Sequence, residues 1–150
     1  MPLRALFEEL LTSQAARITA GQIEVENLLD DELCVIGERF LLQQALANLL
    51  DNAVDFTPPG GLIRCSAECD GELLTFSLFN QGEPIPDYAL PRLTERFYSL
   101  PRPGSGRKST GLGLNFVQEV LELHGGELQL LNVAGGVEAR LQLPAGGSVA

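Results

Sequence analysis

The 150-residue chain is 45% apolar and 20% charged, a composition typical of one globular domain large enough to bury a single core. Its formal net charge of −10 argues against nonspecific nucleic-acid binding, which depends on lysine and arginine neutralising phosphates. No apolar run is long enough to span a membrane, and the acidic amphipathic N-terminus does not resemble a secretory signal. We therefore expect a cytoplasmic domain without direct membrane contact.

The first third of the chain predicts one helix and two short strands. Apolar side chains recur on one helical face over Leu3–Ile18, and Gly21 is placed to end that helix. The alternating segment Gln22–Asn27 predicts a strand, and Leu33–Ile36 predicts a short buried strand that Gly37 closes.

The stretch Phe40–Pro58 predicts an amphipathic helix with an unusual polar stripe. Its apolar positions recur at helical spacing, at Leu42, Ala45, Leu46, Leu49, Leu50, Ala53 and Phe56. A second stripe contains Gln44, Asn48, Asn52 and Asp55. Asn48 and Asn52 are one turn apart, so both side chains can address one ligand or ion. Because asparagine is a middling helix former, the pair indicates either a binding site or an ordinary solvated face.

The middle of the chain predicts a β-hairpin whose second strand ends in a polar residue. Leu62–Cys69 and Glu72–Asn80 alternate in polarity, and Asp70-Gly71 is a typical two-residue turn between them. Asn80 continues the row of core-facing side chains. An unpaired buried amide costs about 1–3 kcal/mol, so we expect Asn80 to have a defined hydrogen-bond partner in the protein or in a ligand.

The remaining segments complete one domain. They predict a short helix, a polar loop, a longer helix and two strands, over Asp87–Arg92, Tyr98–Thr110, Gly111–His124, Glu127–Asn132 and Val137–Leu143. The order of elements predicts an α+β fold with a mixed, largely antiparallel five-stranded sheet covered on one face by about three helices.

Cysteine and histidine can take part in metal binding or phosphate transfer, but their positions in this chain do not predict either role. The spacing of Cys34, Cys65 and Cys69 does not suit a zinc site, so we interpret all three as reduced, buried thiols. His124 is the only histidine and lies in the last predicted helical turn before two glycines. We interpret it as a helix-capping residue rather than a phosphate acceptor.

Four motifs, taken together and in this order, resemble the ATP-binding domain of sensor histidine kinases, whose fold is shared with gyrase, Hsp90 and MutL. They are Asn48–Ala53 with Phe56–Pro58, similar to the N box; Asn80–Pro86, in the place of the G1 box; Glu95–Tyr98, similar to the F box; and Thr110–Leu114, similar to the G2 box. Basic residues also cluster in the stretch that contains the third motif and precedes the fourth, which suits a nucleotide phosphate: Arg92, Arg96, Arg102, Arg107 and Lys108.

The resemblance implies a role for each matching residue. Asn52 would coordinate Mg²⁺ and Asn48 would support the phosphate side, which makes these two the catalytic residues. Asn80 would accept a hydrogen bond from the adenine amino group, Phe56 would lie against the base, and Gly82 would let the backbone approach it. The other implied nucleotide contacts are Ile85, Tyr98, Arg102, Arg107, Lys108, Thr110, Gly111, Leu112, Gly113 and Leu114, with the three cations on a mobile lid.

The chain departs from the family pattern at four positions. Asn80 and Pro84 replace an aspartate and a glycine of the G1 box, Asp55 replaces a lysine, and Thr94 replaces a phenylalanine. Asn80 keeps a carbonyl acceptor but loses the charge. A degenerate nucleotide-binding or interaction module therefore remains an alternative.

The function that the resemblance implies is transfer of the γ-phosphoryl group of Mg-ATP to a histidine. That histidine would lie on a dimerisation domain of the same protein, for relay to an aspartate of a response regulator. The chain would be the C-terminal catalytic part of a sensor kinase, monomeric alone, dimeric at full length and anchored in the inner membrane. A gyrase-type hydrolase is disfavoured because Asn48, which cannot take a proton at neutral pH, occupies the position of the general base.

Overall fold

The computed structural model describes residues 2–95 and 113–148, with side chains described through residue 145 in the last strand. Its helices are α1 Leu3–Ser13, α2 Ala15–Ala20, α3 Arg39–Phe56 and α4 Gly113–Leu123. Its strands are β1 Glu24–Asn27, β2 Leu33–Val35, β3 Leu62–Asp70, β4 Leu73–Gln81, β5 Glu127–Val133 and β6 Gly136–Ser148. A short 3-10 helix covers Leu90–Arg92. Within these ranges no helix is both long and apolar enough to span a membrane.

The strands form one mixed, mostly antiparallel sheet. Its order is β1-β3-β4-β6, with β5 on the other side of β6, and only β1 and β3 run parallel. The sixth strand, β2, pairs antiparallel with the far end of β6, where Val35 lies opposite Ala145. The prediction of five strands was therefore one short, because β6 continues beyond Leu143 and pairs there with β2.

The core lies between this sheet and α1, α3 and α4. The predicted apolar stripe of α3 is buried at every position except Phe56, which is half-buried. Phe7 of α1 packs against Phe76 of β4, with ring centroids 5.5 Å apart. On the opposite face of the sheet, Arg64 lies exposed over the ring of Phe79. The α+β class and the one-sided helical cover are confirmed.

The single helix predicted for Leu3–Ile18 is two helices. The chain leaves helical geometry at Gln14, where φ is −100° and ψ is 5°. Just before it, the hydroxyl of Thr12 donates to Glu8 O at 3.0 Å and that of Ser13 donates to Leu10 O at 2.7 Å. Such side-chain bonds compete with the helical ladder and bend it.

Two local predictions need correction. The hairpin loop is Gly71-Glu72 rather than Asp70-Gly71, because Asp70 still pairs with Leu73, and Gly71 takes the positive φ of 64° that such a loop requires. The helix predicted for Asp87–Arg92 is reduced to its last three residues. Their 3-10 geometry is consistent with the proline at position 91, which lacks the N–H that a continuing helix needs.

The predicted burial of the cysteine thiols is confirmed for two of the three residues. Cys34 and Cys65 are buried, and burial raises the pKa of the Cys65 thiol to about 11. Cys69, however, is exposed, so its predicted burial was wrong. The reason is topological: β1 accompanies β3 only as far as Cys65, and beyond that point β3 is a sheet edge.

Candidate nucleotide site

Asn48 and Asn52 form an amide pair on the part of the α3 surface that the core does not cover. The helix begins with the side chain of Glu38, which accepts from Leu41 N at 2.7 Å, and ends at Thr57, whose hydroxyl donates to Ala53 O at 2.6 Å. Asn48 and Asn52 are half-buried between these ends, whereas the stripe beside them is buried. Both amides can therefore reach a ligand while the helix stays anchored in the core.

The turn after β4 meets the end of α3. Gly82 has φ 155°, and a Cβ placed on it would lie 3.0 Å from Phe56 O and 3.7 Å from Pro58 Cδ. The same Cβ would lie 3.8 Å from Asn80 Nδ2. Only glycine combines this φ with this approach. The fold thus brings Phe56 together with Asn80 and Gly82, which lie more than 20 residues later in the sequence.

Asn80 ends the core-facing row of β4, opposite Ile63 of β3 and Val137 of β6. It is half-buried, less than the preceding members of its row, so its amide is accessible from outside the core. The expected hydrogen-bond partner of this side chain stays a prediction.

Asn132 of β5 is a site residue that the sequence analysis missed. Its Oδ1 accepts from Ile85 N at 2.8 Å, and its Nδ2 donates to Ile85 O at 2.9 Å. One side chain therefore holds both backbone groups of a predicted nucleotide contact. Asn132 belongs to no motif, and only the pairing of β5 with β6 brings it beside the turn that follows β4.

Replacing Asn132 with alanine should weaken nucleotide binding about threefold to tenfold, because loss of the two hydrogen bonds that fix the turn at Ile85 removes about 1 kcal/mol in total at this exposed position. Calorimetric titration with a non-hydrolysable ATP analogue measures the effect. Gln129→Ala is the matched control, since Gln129 is an exposed amide on the same strand that bonds only locally, to Glu127. Equal losses in both variants would contradict a specific role for Asn132.

A second missed residue joins the two segments that flank residues 96–112. Asn115 of α4 donates from Nδ2 to Thr94 O at 2.9 Å, so the chain near residue 95 and the start of α4 lie close together. Gly113 is exposed there and Leu114 is half-buried. Arg92, the one described member of the basic cluster, pairs with Glu95 at 3.2 Å. The following predicted contacts and the predicted lid lie outside the described residues: Tyr98, Arg102, Arg107, Lys108, Thr110, Gly111 and Leu112.

His124 links the end of α4 to the start of α3. Its Nδ1 lies 2.7 Å from Val120 O, and its Nε2 lies 3.0 Å from Glu38 N. A carbonyl can only accept and an amide N–H can only donate, so Nδ1 carries the proton and Nε2 is the acceptor. The predicted capping role is confirmed, and both ring nitrogens are engaged within the protein.

The donor chemistry of this site fits a magnesium nucleotide. Asn48 and Asn52 offer amide oxygens, which are hard ligands of the kind Mg²⁺ takes alongside phosphate oxygens and water. Phe56 offers a half-buried aromatic ring, and the turn at Gly82 lies against the backbone of Phe56. Asn48, Asn52 and Phe56 lie along the second half of α3, over about 12 Å of helix axis, a distance that one nucleotide can span.

Comparison with known proteins shows the family of the chain. Residues 37–147 match the family model described as histidine kinase-, DNA gyrase B- and HSP90-like ATPase. Over 140 residues the chain is 49% identical to the sensor protein CreC of Escherichia coli K12, covering 93% of this chain and 29% of CreC. Over 105 residues it is 41% identical to the sensor histidine kinase SpaK of Bacillus subtilis, covering 69% of this chain and 23% of SpaK.

The similarity extends to solved structures. The catalytic domain of the histidine kinase ThkA superposes with a TM-score of 0.85 at 26% identity, covering 96% of this chain and 93% of that one. ThkA in complex with the response regulator protein TrrA gives a TM-score of 0.81 at 25% identity, covering 96% of this chain and 40% of that one. The chain therefore belongs to the histidine kinase-, DNA gyrase B- and HSP90-like ATPase family, and within it to the ATPase domains of sensor histidine kinases.

Proposed function

We propose that the chain binds Mg-ATP and transfers its γ-phosphoryl group to a histidine on another domain of the same protein. The observation that carries the proposal is the meeting of α3 with the turn after β4, where Gly82 approaches Phe56 O. That contact makes one site from the amide pair of the helix and the backbone of the turn. The family membership supports nucleotide binding there.

Each residue has a role that its position permits. Asn80 and the backbone at Gly82 bind the adenine edge, and the ring of Phe56 covers the base. Asn48 supports the phosphates, and Asn52 holds Mg²⁺ through its amide oxygen. Magnesium, when bound, neutralises charge on the phosphate oxygens. Phosphoryl transfer depends mainly on positioning and charge neutralisation, so neutral amides suffice where a hydrolase needs a general base.

In the proposed transfer, a nitrogen of the acceptor imidazole forms a bond to the γ-phosphorus. The bond between that phosphorus and the β,γ-bridging oxygen breaks, ADP leaves, and the imidazole loses its proton. His124 is unsuited to be the acceptor, because both of its ring nitrogens bond to the backbone of α3 and α4. The acceptor therefore belongs to another domain.

We propose two macromolecular partners, a histidine-bearing dimerisation domain and a response regulator. The chain spans less than a third of the two curated relatives, which supports a longer protein around it. The complex of ThkA with TrrA supports a response regulator as the second partner. We also propose that this domain lies on the cytoplasmic side of a membrane-anchored homodimer, where ATP is available.

The test is phosphotransfer in trans. With Mg-ATP alone, the domain should neither label itself stably nor hydrolyse ATP at a useful rate. When it is mixed with the histidine-bearing domain of its own full-length protein, radiolabelled γ-phosphate should appear on that domain in an acid-labile form. Binding of an ATP analogue without transfer would favour a degenerate binding module, and brisk hydrolysis by the isolated domain would favour a gyrase-type enzyme.

A further inference from the structure

An arginine outside all of the motifs binds the side of α3 that carries the amide pair. Arg17 of α2 forms ion pairs with Asp51 through Nη1 and with Asp55 through Nη2. Gln14 joins the same group, since it accepts from Arg17 Nη1 at 3.1 Å and its Nε2 lies 3.4 Å from Asp51 Oδ1. One guanidinium thus bridges two carboxylates that stand one turn apart.

Apolar packing contributes little to the position of α2 beside α3, since Ile18 is the one residue of this helix that packs, half-buried, against the core. None of the six residues of α2 is buried. Its end is instead fixed by the backbone, because Gly60 N donates to Gly21 O at 2.9 Å and thereby joins the turn after α2 to the turn after α3. This arrangement holds Arg17 against the second half of α3.

Asp51 and Asp55, the carboxylates that Arg17 bridges, lie close to the predicted magnesium ligand Asn52. Along a helix, positions 48, 51, 52 and 55 are neighbours at spacings of three and four residues, with Cβ atoms about 5–6 Å apart. Asp51 therefore lies one turn from Asn48 and Asp55 one turn from Asn52, so both carboxylates are within about 10 Å of any phosphate that the two amides would hold. Two uncompensated negative charges at that range repel a polyphosphate, and a single bridging cation offsets one of the two charges.

We propose that Arg17 is a positioning residue of the nucleotide site, which offsets half of the negative charge of Asp51 and Asp55 so that the triphosphate can bind against Asn48 and Asn52. The inference rests on the proposed nucleotide binding. It adds α2, which lies outside residues 37–147 of the family match, to the machinery of the site. We also expect Arg17 to act through its charge and to affect only ligands that carry phosphate groups.

Because the side chains of Arg17, Asp51 and Asp55 are partly exposed, the effect of Arg17 on binding can be measured separately from its effect on protein stability. The side chain of Arg17 is 42% exposed, and those of Asp51 and Asp55 are 49% and 23% exposed. Exposed ion pairs contribute little to folding, so removal of Arg17 should leave the melting temperature within a few degrees of the original. An effect on binding is then not a consequence of unfolding.

The experiment measures the affinity of the 150-residue chain for a Mg-bound non-hydrolysable ATP analogue and, in parallel, for adenosine, which has no phosphate. Arg17→Ala should weaken binding of the ATP analogue about tenfold in low salt, while adenosine affinity stays constant. The loss should shrink in roughly 0.5 M salt, where charges are screened within about 4–5 Å. Arg17→Lys should recover part of the affinity.

A compensating variant completes the test. In Arg17→Ala combined with Asp51→Asn and Asp55→Asn, both repelling charges are absent, so affinity for the ATP analogue should at least recover the original value, to within about twofold. Unchanged affinity in Arg17→Ala, equal loss for adenosine, or failure of the triple variant to recover would each overturn the role of Arg17. If the unmodified chain binds neither ligand, the proposed function itself falls, and this inference falls with it.

Discussion

Asn52→Ala should lower the affinity for Mg-nucleotide at least about tenfold and should abolish measurable phosphotransfer. The substitution removes the amide oxygen proposed to hold Mg²⁺, and loss of groups that support a bound metal typically costs about ten- to a hundredfold. Alanine is a better helix former than asparagine, so α3 itself should not suffer. Titration with the ATP analogue, with and without Mg²⁺, measures the change.

The control for this variant is Gln44→Ala. Gln44 belongs to the same predicted polar stripe, two turns before Asn52, and is exposed. Its removal should leave nucleotide affinity unchanged. If the binding deficit of Asn52→Ala is the same in EDTA as in Mg²⁺, the residue acts on the nucleotide directly and the metal assignment is wrong.

Gly136→Ala should lower the free energy of unfolding by about 3 kcal/mol or more. A Cβ at Gly136 would lie 2.1 Å from Asn80 O and 3.0 Å from Gln81 Cα, both of them backbone atoms that cannot move without breaking the pairing of β4 with β6. Because this pairing also positions Asn80, nucleotide binding should fall with stability. Urea unfolding followed by circular dichroism measures the first effect.

Gly135→Ala is the neighbouring control. Gly135 has φ 84°, but a Cβ placed on it would meet nothing within 4 Å, so alanine there experiences only the backbone strain of positive φ, about 1 kcal/mol. The two adjacent substitutions thus separate a steric clash from conformational strain. Equal destabilisation by both would show that the approach of β6 to Asn80 is not the constraint.

The helix and strand periods were readable from the sequence because each element buries one face. The stripe from Leu42 to Ala53 is buried as its spacing predicts, and Ile63 and Cys65 point inward as their alternation predicts. The four motifs together were sufficient to identify the family, since their residue types and order carry the resemblance. Errors occurred at ends and breaks, such as Gln14 and the Gly71-Glu72 loop, where local hydrogen bonds and strand register decide.

The amino-acid sequence by itself therefore determined the class of fold, the family and the residue types of the candidate site, because side-chain periodicity and motif chemistry are local properties. Tertiary structure alone decided which distant residues support that site. The bonds of Asn132 to Ile85, of Asn115 to Thr94 and of Arg17 to α3 join residues 21 to 47 positions apart. Such contacts leave no periodic signal in the chain, since they depend on which strands and helices become neighbours when the core forms.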